Sequence, residues 1–260
     1  MRERLSHLWR VAASAILFAA FGIGGLVLGV LVFPLLRLLV RDRQRQGRIA
    51  RRLIQRSFAA HFGLMHRLGV LSFEIHGAER LDRRGLLVLA NHPTLIDVVC
   101  LISMIPDADC VVKSRLANNP FTRGPLRATG YIFNDNGAGL IQDCIASVRS
   151  GKNLVIFPEG TRTPRDAPLG PLRRGAANIA IRGGLDVTPV LIQCSPRTLG
   201  KGEKWYRVPS RRFHMRIEVL PDISVAPFLA GSAEALAARR LTAHLGETFK
   251  TELARAGAGS

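Results

Sequence analysis

The strongest constraint in the chain is residues 11–36, a run of 26 residues without a charged side chain. As a helix it would extend about 39 Å, and a bilayer hydrocarbon core is about 30 Å thick, so the block can span one. It is too long for the apolar part of a secretory signal, and no clear small-residue cleavage site follows it. Gly22, Gly24, Gly25 and Gly29 interrupt the middle and Pro34 lies near the end. A re-entrant hairpin in one leaflet therefore fits as well as a single span, and a buried core helix is the third arrangement open to it.

The flanks orient the block. Eight arginines and one aspartate occupy residues 37–56, against three arginines and one glutamate before the block. The positive-inside tendency places the carboxyl side, and the main domain with it, in the cytoplasm at the inner (cytoplasmic) membrane. In the next stretch, RIARRLIQRSFAAHFGLMHRL, the residues Ile54, Phe58, Phe62 and Met65 recur at helical intervals beside arginines. That pattern suits an interfacial helix on anionic lipid, and equally an ordinary core stripe with a solvated charged face. Residues 1–71 thus read as a membrane anchor with a basic amphipathic helix, and 72–260 as the main domain.

A formal charge of +18, carried by 37 basic residues, attracts anions. Nucleic acid is a poor candidate among them: aromatic residues make up only 6% of the chain, and half of the charge excess lies in the first sixty residues, around the apolar block. The four cysteines, Cys100, Cys110, Cys144 and Cys194, have no metal-type spacing and read as reduced core residues.

Beyond residue 72 short β-rich runs alternate with helical ones. Strands are expected at 86–90, 110–113, 131–133, 153–157, 187–192 and 213–220. Helices are expected from about 94, over 138–148, 174–182 and 232–255. This alternation argues for an α/β layered domain.

Two strand ends carry chemistry. After the first strand, ANHPTLIDVV sets His92 where the strand stops, with Pro93 fitting the first turn of the following helix. Asp97 can fold back to the ring; a carboxylate on one imidazole nitrogen fixes the tautomer and supports the imidazolium formed when the other nitrogen takes a proton. A capping arrangement of Thr94 and Asp97 explains the same spacing without catalysis. After a later strand, VIFPEGTR offers Glu159, Gly160, Thr161 and Arg162. A carboxylate and a guanidinium can hold a polar, phosphate-bearing substrate, and Gly160 admits close backbone approach. A Gly-x-Ser-x-Gly turn, the mark of a serine hydrolase, is absent. A basic membrane-binding protein without catalysis is the alternative of another class.

Together these stretches resemble the PlsC-like glycerolipid acyltransferases, which include the 1-acylglycerol-3-phosphate acyltransferases, over residues 77–220. The family's Asn-His-x4-Asp motif falls on Asn91, His92 and Asp97, and its Phe-Pro-Glu-Gly-Thr-Arg block on residues 157–162. The resemblance implies a layered acyltransferase domain with a central mixed sheet. It makes His92 the base and Asp97 its partner, with Lys113, Gly130, Phe133, Glu159, Gly160, Thr161 and Arg162 serving the substrate. It implies an acyl-CoA or acyl carrier protein donor, a lysolipid acceptor such as 1-acylglycerol-3-phosphate, and no metal or other cofactor. One position departs: the motif Gly-x-x-Phe-x-x-Arg reads GYIFNDN, so Asn136 stands where the family has arginine. An amide lacks the cationic fork of arginine, which leaves acceptors such as ornithine lipids or polyketide-type lipids in play beside lysophosphatidate.

Overall fold

The apolar runs that end before Asn91 and Phe157 lie side by side in the middle of a sheet. The computed structural model describes residues 2–258 apart from 136 and 232. Its strands are β1 (Leu71–His76), β2 (Leu87–Ala90), β3 (Ala108–Val112), β4 (Ile132–Phe133), β5 (Asn153–Ile156), β6 (Val187–Ser195) and β7 (Phe213–Val219). They form one seven-stranded sheet in the order β1-β7-β6-β2-β5-β3-β4. The β6–β7 pair is antiparallel and the other pairs are parallel, so the sheet is mixed. Every residue of β2 and β5 is buried, as parallel strands covered on both faces require. Strand β7 instead alternates, burying Phe213, Met215, Ile217 and Val219.

Helices cover both faces. On one side α3 (Arg43–Arg67), α4 (Asp97–Met104) and α5 (Pro120–Thr129) share a core with Val88 and Ala90; on the other, α6 (Leu140–Arg149), α7 (Gly175–Gly183) and α9 (Glu234–Ala258) pack on Leu87 and Leu89. Helix α9 seats Ala237, Leu241, Leu245, Phe249 and Leu253, one residue per turn. Ser232, expected at its start, lies outside the described residues. A short α8 (Ala226–Leu229) precedes it.

The apolar amino-terminal block is helical throughout: α1 (Arg2–Val27), a π-helical turn at Leu28–Val32, then α2 (Phe33–Leu39). The stretch Arg4–Leu39 is long and apolar enough to cross a membrane. Its glycines do not break it, contrary to the expectation from composition. Gly22 lies against the Phe121 ring, a Cβ on Gly25 would collide with the Phe121 carbonyl, and Gly29 faces Gly124. The missing side chains let α1 and α5 approach closely. Helix α3 runs back along α1, with Phe21 against Phe58 and His61 and the Trp9 indole donating to Leu68 O at 3.0 Å. Ile54, Phe62 and Met65 of α3 are buried, so its apolar stripe belongs to the core.

Candidate active site

Three loops leave the C-terminal ends of the parallel strands β2, β3 and β5 and meet at one edge of the sheet. Asn91, at the end of β2, is 1% exposed. Its side-chain amide donates to Ile192 O at 2.8 Å and its oxygen accepts from Ile192 N at 2.7 Å. That pair pins the loop to β6. Helix α4 begins only at Asp97, and Pro93 lies in the loop before it. The later start has a local cause. The Thr94 amide donates to Asp97 Oδ2 at 2.7 Å, the Thr94 hydroxyl donates to Oδ1 at 2.5 Å, and the Ile96 amide donates to Thr94 Oγ1 at 3.2 Å. This side-chain turn competes with helix over those residues.

His92 Nδ1 lies 2.8 Å from Asp97 Oδ2, with the Asp97 side chain fully buried and that of His92 16% exposed. An ionised carboxylate only accepts, so Nδ1 carries the hydrogen and Nε2 keeps its lone pair. The capping and dyad readings therefore hold together: one carboxylate shapes the turn and orients the ring. Burial pushes the Asp97 carboxyl above its ordinary range, while the bonds from His92 and Thr94 pull it back. Phe157 stacks on the imidazole with ring centroids 4.2 Å apart and planes inclined by 26°.

Glu159 faces inward. It is 3% exposed; Oε1 accepts from the His92 amide at 2.8 Å and the Thr163 hydroxyl at 2.8 Å, and Oε2 accepts from the Gly170 amide at 2.7 Å. The Thr163 amide donates in return to His92 O at 2.7 Å. Glu159 thus clamps the main chain of His92, which differs from the direct substrate contact expected of it. Gly160 adopts φ +67°, where a side chain would be strained, and the Arg173 side chain packs against it. Thr161 is half-buried on the same turn.

Arg162 donates through Nη1 to Leu199 O at 2.8 Å and Gly200 O at 2.7 Å. The Leu199 carbonyl also accepts from the Leu95 amide at 3.1 Å, and Leu199 holds the uncommon positive φ of 53°. Burial lowers the Arg162 pKa, and the nearby Asp97 and Glu203 carboxylates oppose that. Lys113, after β3, is also held below its ordinary range, by burial and then by Arg115, Lys201, Arg162 and Arg173. Five cations from three loops thus cluster, and one of them, Arg162, lies near Asp97. Only Lys113 and Arg162 were expected; Arg115, Arg173 and Lys201 carry no local motif.

Gly130 ends α5 with φ 70°, and Phe133 ends β4 paired with Val112, the residue before Lys113; both line a cavity that reaches the opposite edge of the sheet. Asn136 lies outside the described residues. Cys100, Cys110 and Cys144 are buried free thiols, and burial pushes the Cys110, Cys144 and Cys194 thiols up to about 12. No thiol here is poised as a nucleophile.

The Acyltransferase family profile matches residues 72–193. A 1-acyl-sn-glycerol-3-phosphate acyltransferase of Helicobacter pylori is 31% identical over 43% of this chain and 49% of its own length. A lyso-ornithine lipid O-acyltransferase of Pseudomonas aeruginosa is 29% identical over 47% of this chain and 48% of its own. The matches span about half the length of these relatives. The crystal structure of the 1-acyl-sn-glycerophosphate (LPA) acyltransferase PlsC from Thermotoga maritima superposes with a TM-score of 0.73 over 98% of both chains, at 20% identity. At that identity the likeness speaks for the fold. The chain is PlsC-like, carrying an acyltransferase family domain over residues 72–193 within a PlsC-type fold.

Proposed function

We propose that the chain is a membrane-attached O-acyltransferase that moves a fatty acyl group from an acyl thioester of coenzyme A or acyl carrier protein to a lysophospholipid hydroxyl. The acceptor we assign is 1-acylglycerol-3-phosphate, giving phosphatidic acid. One observation carries this reading: a buried carboxylate holds the imidazole at Nδ1, and Arg162, close enough to feel the Asp97 charge, belongs to a cluster of cations with Lys113, Arg115, Arg173 and Lys201. The acceptor hydroxyl gives its proton to His92 Nε2 as its oxygen attacks the thioester carbonyl carbon. Asp97 supports the imidazolium so formed. The tetrahedral intermediate collapses, the carbon–sulfur bond breaks, and the departing sulfur takes the proton from Nε2. Lys113 and Arg162, with Arg115, Arg173 and Lys201 beside them, meet the acceptor phosphate; Glu159 and Gly160 keep the loop in place.

In this reading residues 1–71 attach the protein and residues 72–260 react. Leu8, Ile16, Ile23, Val30, Leu31 and Leu38 are exposed along one side of α1–α2, while Ala13, Leu17 and Phe33 pack on the domain. A helix docked along its length on α3 and α5 cannot cross a bilayer without dragging polar surface with it. The helix therefore lies in one leaflet at the inner membrane, with the arginines of residues 37–56 drawn to the cytoplasmic face.

A lyso-ornithine lipid acceptor is the second reading, favoured by the neutral Asn136 and by the Pseudomonas aeruginosa relative. Incubation with radiolabelled acyl thioester and a panel of lysolipids, followed by separation of the products, distinguishes them. Labelled phosphatidic acid supports the first; label only in ornithine lipid replaces it with the second. No labelled lipid from any acceptor ends both.

A further inference from the structure

Strands β2, β3 and β5 begin at the edge opposite His92, about 15 Å away at the usual rise of a strand. There a cavity of about 1440 Å³ opens between α2, the start of α3 and the segment around Tyr131. Two of its cations have carboxylate partners. Arg51, 7% exposed, donates through Nε to Asp107 at 2.6 Å and through Nη1 to Thr129 O at 2.9 Å. Lys152 Nζ lies 3.2 Å from Asp109 Oδ2. Six further arginines line the cavity, Arg37, Arg41, Arg43, Arg48, Arg84 and Arg127, against two further carboxylates, Asp135 and Asp143.

At its wall sits Tyr131, 8% exposed, whose hydroxyl has no hydrogen-bond partner among the described residues. Buried hydroxyls are normally satisfied, and leaving one unpaired is costly. Tyr131 lines the cavity together with Arg51, Asp107 and Asp109, and its hydroxyl is buried just behind that wall. An excess of arginine around an unused donor asks for an anion that accepts hydrogen bonds.

We propose that this cavity binds the phosphate of an anionic glycerophospholipid headgroup, with the Tyr131 hydroxyl donating to it and the surrounding arginines balancing its charge. Its lining includes none of His92, Asp97, Lys113 and Arg162. A lipid suits it better than a soluble phosphate because Phe33 and Leu36 form part of the wall, and the exposed Leu35, Leu38 and Leu39 continue from its lip along the anchor. A headgroup seated there lays its acyl chains against that apolar stripe. The proposal rests on attachment of α1–α2 to lipid and is independent of acyl transfer.

Native mass spectrometry of the full chain in detergent tests it, with dioleoylphosphatidylglycerol, dioleoylphosphatidylcholine or inorganic phosphate as probes. One phosphatidylglycerol adduct should survive activation that strips phosphatidylcholine. Tyr131→Phe, which keeps the ring, should weaken retention several-fold, and Arg48→Gln with Arg127→Gln by about tenfold or more, the scale of one lost charge-assisted bond. Thermal melts identify any variant that fails to fold, and Tyr131→Phe and the arginine pair test the site independently. Equal retention by folded variants and wild type overturns the proposal. So does equal retention of the two lipids, or displacement of phosphatidylglycerol by millimolar inorganic phosphate, which would mark a soluble-anion site. Flotation on phosphatidylcholine vesicles tests the attachment of the anchor by itself.

Discussion

Each edge of the sheet holds a fully buried aspartate, and the two have different partners. At the edge where β3 starts, Asp109 accepts from the Ser147 hydroxyl at 2.7 Å, from Lys152 at 3.2 Å and from the Cys110 amide at 2.9 Å. At the other edge Asp97 accepts from Thr94 and from the His92 ring. Serine and lysine end the first network, because neither passes a proton onward near neutral pH. Imidazole continues the second, because its remaining nitrogen can bind a proton when the first is held. Burial of a carboxylate marks both places; the partner decides which one has chemistry to do.

The sharpest way to break this comparison is to remove the partner. His92→Ala should lower turnover by about 10²–10⁴-fold, the usual share of a general base, with the melting temperature little changed. Asp97→Asn should also lower turnover. Since burial raises the Asp97 pKa, the acid limb of kcat/KM should lie above the ordinary carboxylate range: as pH falls through that pKa, the protonated carboxyl no longer supports the imidazolium. Asp109→Asn should do the reverse, costing about 1–3 kcal/mol of stability from an impaired buried network while kcat in the folded fraction stays near wild type. A folded His92→Ala protein with normal acyl transfer would remove the distinction between the edges.

The cation cluster gives the next effect. Arg162→Ala should raise the KM for a phosphate-bearing acceptor by about 10–100-fold, the scale of lost charge-assisted bonds. Asn136→Ala should change it far less, and Asn136→Arg should improve the use of lysophosphatidate. If Asn136→Arg instead harms acylation of the preferred acceptor, that acceptor carries no phosphate for the added guanidinium to pair with.

Smaller effects come from the face that carries the anchor. Gly124→Leu should destabilise by about 1–3 kcal/mol through overpacking against Gly29, seen as a lower melting temperature. His61 is held below its ordinary pKa by burial, so on acidification the unfolded chain takes up that proton first. The stability it lends is complete above about pH 6.5 and is lost progressively below that value. His61→Leu should flatten this acid dependence by a few degrees of melting temperature at most. An unchanged slope would mean that another group sets it.

What could be read beforehand divides along the same lines. NHPTLID and FPEGTR were legible because parallel strands are written as short apolar runs and their loops follow directly, so His92, Asp97 and Arg162 fall where a ligand site is expected. The inward turn of Glu159 was not, because it depends on the His92 amide 67 residues away and on Gly170. Arg115, Arg173 and Lys201 converge only once the loops are brought together. Helix α5 was hidden by Gly124 and Pro125, residues that read as loop and become helical against the glycines of α1. Strand β1 was missed because it lies at the edge and mixes Ser72, Glu74 and His76 with its apolar residues, Phe73 being 36% exposed. The amino-terminal glycines suggested a break, and only the facing helix shows them to be a surface for close contact.

The Leu199 carbonyl accepts at once from the Leu95 amide, in the loop of the His92–Asp97 pair, and from Arg162, in the loop after β5. Two loops tied to a single oxygen share their thermal motion, and the opening of either is felt by the other. The Leu95 amide is thereby a built-in gauge. Hydrogen exchange at this one backbone position should slow when an anion stiffens Arg162 and quicken when Arg162 is lost, reporting on occupancy of the cleft without any reaction taking place.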